Sequence, residues 1–131
     1  MSTVLSVPYE SSGPRFARFC VQQFATGLGL DDAVDDLCLI ASELVTNAIV
    51  HGEEPVELTL LHQHGEVTIE VADGDSRIDR VRPPADETGP GGRGLRIVET
   101  LADRWGTRPS RSGKTVWATT QTGGCPGSRG F

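Results

Sequence analysis

Residues 31–52 read DDAVDDLCLIASELVTNAIVHG, and the periodicity of this stretch decides the fold. Val34, Leu37, Cys38, Ala41, Leu44, Val45, Ala48 and Ile49 recur at three- and four-residue intervals, which predicts one long helix with a continuous apolar face. Asp31 has the chemistry of an N-cap, and Gly52 that of a helix stop. Glu43, Asn47 and His51 are spaced four apart, so at ~100° per residue they share one stripe. The polar side of any amphipathic helix can carry such a stripe. Val50 falls on that same side, which argues that it faces a ligand or a covering loop rather than bulk water.

Working outward, residues 4–9 alternate weakly as a strand. Ser11, Ser12, Gly13 and Pro14 then introduce a helix whose apolar positions are Phe16, Phe19, Cys20 and Phe24, ended at Gly27 to Gly29. Beyond Gly52, Val56, Leu58 and Leu60 and then Val67, Ile69 and Val71 alternate at period two about His64-Gly65, as in a hairpin. Residues 73–92 have loop composition. A third helix opens at Gly94, with Leu95, Val98, Leu101 and Ala102 on its buried side, and a second hairpin follows over 104–109 and 114–120 with its turn at Ser112-Gly113. The order strand, helix, helix, hairpin, helix, hairpin predicts an α+β chain, a two-layer sandwich with helices on one face of a mixed, mostly antiparallel sheet. One domain spans residues 1–121, and residues 122–131, with four glycines and a proline, form a disordered tail.

A chain of 131 residues can bury a core without disulfides or a structural metal. Its net charge of -6 argues against nonspecific nucleic-acid binding, which needs cations to neutralise phosphates. The charge is uneven: residues 1–76 hold 13 acids and 2 bases, whereas residues 77–131 hold 5 acids and 10 bases, so an anionic ligand belongs in the second part. Three cysteines without metal-ligand spacing read as small core residues in a reducing compartment. With neither a basic leader nor a stretch of ~20 apolar residues, the expected location is the cytoplasm, away from membranes.

Three constellations carry chemistry. In the first, the Asn47 carbonyl oxygen is a suitable hard ligand for Mg2+, Glu43 one turn earlier can accept a proton, and His51 can orient or cap. In the second, Asp73 arrives at the end of a buried strand and enters a turn, where its carboxylate can make an Asx turn or accept the exocyclic amine of adenine. In the third, Gly89-Pro90-Gly91-Gly92-Arg93-Gly94-Leu95-Arg96 runs into a helix, so backbone amides and the helix N-terminus can meet a phosphate.

Taken together and in this order, the three resemble the GHKL ATPases, the superfamily of gyrase, MutL, the ninety-kilodalton heat-shock chaperones and histidine-kinase catalytic domains. Glu43, Asn47 and His51 match its N box, Asp73 its adenine-reading Asp, Gly92, Arg93, Gly94 and Leu95 its second glycine box, and Thr115 its late Thr beside adenine. The phrasing ELVTNAIVHG and GGRGLRIVETLADRWG is most similar to bacterial anti-sigma factors that are serine-protein kinases. The resemblance implies a Bergerat fold binding ATP and Mg2+, with Glu43 as base and Asn47 on the metal. It also implies two partners, a sigma factor and a STAS-domain anti-anti-sigma factor whose serine or threonine is phosphorylated, and it leaves a homodimer open. Asp75 and Arg77 stand where the family's first glycine box has glycines, which keeps a non-catalytic nucleotide-binding module that sequesters a partner as the alternative.

Overall fold

The computed structural model describes residues 1–75, 90–111 and 113–122, with only the helical backbone described over 90–94. The elements are β1 (Ser2–Val7), α1 (Gly13–Gly27), α2 (Val34–His51), β2 (Val56–Gln63), β3 (Glu66–Asp73), α3 (Pro90–Leu101), β4 (Arg104–Ser110) and β5 (Gly113–Gln121). Five strands form one sheet in the order β1-β2-β3-β5-β4, and every pairing is antiparallel. The mixed sheet expected from the sequence is thus antiparallel throughout among the described residues.

α2 organises the core. Leu37, Ile40, Ala41, Ser42, Leu44, Val45, Asn47 and Ala48 are all buried on it, a spread too wide for a single stripe. α1 and α3 cover α2 on two sides, and β2, β3 and β5 lie beneath it. The sheet offers Val56, Leu58, Leu60, Val67, Ile69, Val71, Val116 and Ala118, all at most 3% exposed, and α3 adds Leu95 and Val98. All of these except Val116 and Ala118 were picked out in the sequence by the period-two and period-3.6 rules.

Several boundaries and caps differ from expectation. The first strand is Ser2–Val7 rather than residues 4–9, because residues 2–7 pair antiparallel with 61–56, while the Tyr9 hydroxyl turns away to donate to the Gly52 carbonyl at 3.0 Å. On α1 the fully buried residues are the small ones, Gly13, Ala17, Val21 and Ala25, and Phe19 is 59% exposed. Close approach to α2 explains this: a β carbon at Gly13 would stand 2.6 Å from Ile49 Cδ1. Asp31 is not the N-cap of α2; it opens a short 3-10 turn, Asp31–Ala33, which hands over to the helix at Val34. Cys20 and Cys38 are half-buried at the core margin, and burial pushes both thiols up. α3 begins at Pro90, not Gly94, so the glycines run inside the first turns of the helix.

The hairpin turn at His64-Gly65 has φ of 54° and 75° at its two central residues, the conformation whose twist suits a two-residue connection. Thr122, assigned to the tail by composition, donates from its amide and its hydroxyl to the Gly65 carbonyl at 3.0 and 3.1 Å, and residues 123–131 lie outside the described residues. No helix among the described residues is long and apolar enough to cross a membrane.

Two glycines give a test of the packing. At Gly113 a β carbon would overlap the Asp73 carbonyl, whereas at Gly27 it would meet nothing within 4 Å. Gly113→Ala is expected to lower the unfolding free energy by about 1–3 kcal/mol, the usual cost of overpacking. Gly27→Ala is expected to raise it by roughly 0.4–1 kcal/mol through the unfolded chain. Urea denaturation of the two variants measures both.

Candidate functional site

The C-terminal end of α2 and the ends of β3 and β5 converge. Gly52 closes α2 with its amide on the Ala48 carbonyl at 2.9 Å, and the Gly74 amide donates to the Glu53 carbonyl at 2.7 Å. These bonds hold the segment after α2 against the end of β3. Gly52 lies so near Asp73 that a β carbon there would stand 2.5 Å from the carboxylate, so this approach requires glycine. The N-box stripe and the strand-end carboxylate, 22 or more residues apart in the chain, therefore share one end of the sandwich.

On the stripe, Asn47 is 4% exposed and its Oδ1 has no hydrogen-bond partner among the described residues. A buried carbonyl oxygen left without a donor costs roughly 1–3 kcal/mol, so Asn47 Oδ1 is open to a cation or a donor that completes it. An amide oxygen held this way fits the hard-donor chemistry of Mg2+. Glu43, one turn earlier, is half-buried, and burial pushes its carboxyl up while the Arg18 guanidinium on α1 pulls it partly back. His51 is half-buried at the last turn of α2. Val50 is 50% exposed, so the inference that it turns the stripe away from water is corrected; burial of Asn47 does that instead.

Asp73 is 4% exposed. Its Oδ1 accepts the Asp75 amide at 2.8 Å, which is the Asx turn that its position allowed. The Lys114 ammonium donates to Oδ1 at 3.1 Å and to Oδ2 at 3.0 Å, and both side chains are 1% exposed. Lys114 stands directly opposite Asp73 in the β3–β5 register, with the core pairs Val71–Val116 and Ile69–Ala118 following on the same face. Thr115 is opposite Ala72 on β3 and Arg108 on β4, and alternation turns it to the other face, where Arg108 bridges to Glu70 at 3.0 Å. The β5 side chain beside Asp73 is thus Lys114, and Thr115, 5% exposed, lies on the opposite face of the sheet. Parity was the available signal, since Lys114 falls in step with Val116 and Ala118.

The Leu95 side chain is buried in the core at 1% exposure. Gly92, Arg93 and Gly94 lie in the first turns of α3, and with the helix starting at Pro90 the amides lacking intrahelical acceptors shift toward Gly91 and Gly92. Their side-chain surroundings, and Arg77, lie outside the described residues. Cavities of 590 and 470 Å3 lie away from this end, one beside the β2–β3 turn and one between β1 and α1.

Comparison with known proteins agrees with this architecture. Residues 14–120 match the family described as the histidine kinase-like ATPase domain. The anti-sigma F factor of Clostridium acetobutylicum is 33% identical over 106 residues, covering 72% of this chain and 74% of that protein. That of Priestia megaterium is 34% identical over 110 residues, covering 71% and 73%. Among solved structures, the RsbU and RsbW domains of Rv1364c from Mycobacterium tuberculosis align with a TM-score of 0.70 at 18% identity. That likeness is one of fold, and it covers 92% of this chain and 32% of that one. The chain belongs to the histidine kinase-like ATPase domain family. Within the family its place is the branch that includes the anti-sigma F factors.

The orphaned oxygen of Asn47 makes a stability test possible. Asn47→Leu, which substitutes an apolar side chain of similar size, is expected to raise the unfolding free energy of the ligand-free protein by about 1 kcal/mol. The same change should abolish any stabilisation by Mg2+-nucleotide. Thermal melts with and without Mg2+-ATP measure both, and a destabilised variant would mean that Asn47 is held for structure alone.

Proposed function

We propose that this protein is an anti-sigma factor and an ATP-dependent protein-serine kinase, which sequesters a sigma factor and phosphorylates a serine or threonine on a STAS-domain antagonist. The observation that carries the reading is the N-box stripe: a buried, unsatisfied Asn47 oxygen one turn from a half-buried Glu43 whose carboxyl is raised. The relatives named anti-sigma F factor support the sigma partner, and the family supports the nucleotide. The cytoplasm is where such partners would be met.

In this reading Asp73 accepts the exocyclic amine of adenine, Asn47 Oδ1 holds Mg2+, and the N-terminal amides of α3 face the phosphates. The metal, when bound, draws charge from the phosphate oxygens and lowers the cost of charge development in transfer. Glu43 takes the proton from the partner's serine hydroxyl as that oxygen bonds to the γ-phosphorus and the bond from phosphorus to the β-γ bridging oxygen breaks, leaving ADP. A raised carboxyl pKa makes Glu43 a stronger proton acceptor. His51, at the end of α2, orients the neighbouring turn.

A second reading has one observation behind it. Asp75, in a glycine place of the family's first glycine box, is 3% exposed, so a buried carboxyl side chain occupies space beside Asp73. A module that binds a partner without transferring phosphate would tolerate this.

Glu43→Gln is expected to slow phosphoryl transfer by roughly 10^2–10^4-fold while leaving nucleotide affinity and retention of the sigma partner intact. Asp73→Asn should instead weaken nucleotide binding. Because the Glu43 carboxyl is raised, the single-turnover rate should fall on the acid side with its inflection above the ordinary Glu value, and Glu43→Gln should lack that limb. Radiolabel transfer from ATP to a purified antagonist across pH measures this. A wild type that holds a sigma factor yet transfers to no antagonist would favour the sequestering module.

A further inference from the structure

The base-recognition carboxylate is already engaged. Lys114 Nζ holds both oxygens of Asp73, at 3.1 and 3.0 Å, and the Asp75 amide takes a further site on Oδ1. Gly52 closes against the Oδ2 side, and the Gly113 backbone against the Asp73 carbonyl. With the carboxylate and the ammonium each 1% exposed, an incoming amine finds no open face on Asp73. Lys114 cannot simply step out along the sheet, because it is fixed at the register position directly across from Asp73. Its four-carbon stem, however, can re-aim the ammonium by rotamer change without moving the strand.

We propose that Lys114 is a gate on this carboxylate and sets the affinity of the site for adenine nucleotides. The inference rests on the reading of Asp73 as the adenine acceptor. In the closed arrangement the ammonium satisfies Asp73 internally. In the open one it releases at least one oxygen to the exocyclic amine of the base. Each binding event then includes the loss of part of a buried ion pair, so the apparent affinity is lowered by the fraction of molecules that are open. The same ammonium keeps a buried carboxylate compensated when no nucleotide is present, which a neutral side chain could not do. Lys114 acts through Asp73 and is a positioning residue; it takes no part in the transfer of phosphate.

Calorimetric titration of Mg2+-ATP into the full chain, its Lys114→Thr variant, and both changes in an Asp73→Asn background tests the gate. If Lys114 is closed in about nine molecules of ten, Lys114→Thr tightens binding by about tenfold. In the Asp73→Asn background the same change should leave affinity unaltered. Equal or weaker binding by Lys114→Thr, with the wild type binding, overturns the gate and leaves the adenine reading of Asp73 standing. No binding by either protein at ~1 mM overturns the nucleotide reading and the gate with it. Should Lys114→Thr fail to fold, the wild type itself decides: its Lys114 ammonium nitrogen resonance should shift as Mg2+-ATP saturates the site. A resonance that stays in place at saturation overturns the gate.

Discussion

Burial of α2 on most of its circumference is the constraint from which the remaining structure follows. A helix with eight buried residues spread over positions 37 to 48 is stable only if something covers each side, and α1, α3 and three strands of the sheet do so. The small residues of α1 and the glycine at its start let that helix come close. The antiparallel sheet supplies one flat apolar face beneath, and its other face carries the exposed charge pairs Arg104–Glu66 and Arg108–Glu70. Such surface pairs contribute little to stability, so the fold rests on the apolar face.

The same burial creates the chemistry. A helix covered on most sides must bury some polar positions, and these need partners. Ser42 and Thr46 solve this locally by donating to the Leu39 and Ser42 carbonyls at 3.0 and 2.7 Å. Asn47 Oδ1 does not. It is an acceptor, so no carbonyl of its own helix can satisfy it, and a cation or an external donor can. Glu43 sits nearer the edge of the covered region, half-buried, with its carboxyl raised by burial. Position around one helix thus separates a buried, unmet acceptor from a half-buried carboxyl group.

At the strand ends the problem is opposite in sign. Asp73 brings a negative charge into a nearly dry place, and the fold answers with an ammonium from the facing strand and an amide from the following turn. Such a pair contributes little net stability once desolvation is counted, but removing one member leaves a costly lone charge. In the proposed function, nucleotide recognition through Asp73 has to compete with the contact that Lys114 makes.

Much of this was determined by the sequence alone. The period of α2, the alternation of β2 and β3 about His64-Gly65, and the order of elements specified a helical layer on a mostly antiparallel sheet, because side-chain periodicity is a local property of the backbone. The same periodicity placed Glu43, Asn47 and His51 on one stripe. Cap and boundary residues were less legible: Asp31, the start of β1 and the start of α3 depend on which neighbour satisfies each backbone group, and that neighbour comes from elsewhere in the chain. Only the tertiary structure decided what Asp73 touches. The β3–β5 register fixes that Lys114 rather than its neighbour Thr115 faces the carboxylate, and that contact joins residues 41 apart in the chain. Spacing along one helix can be read from the chain itself, whereas contact across two strands exists only once the sheet has formed.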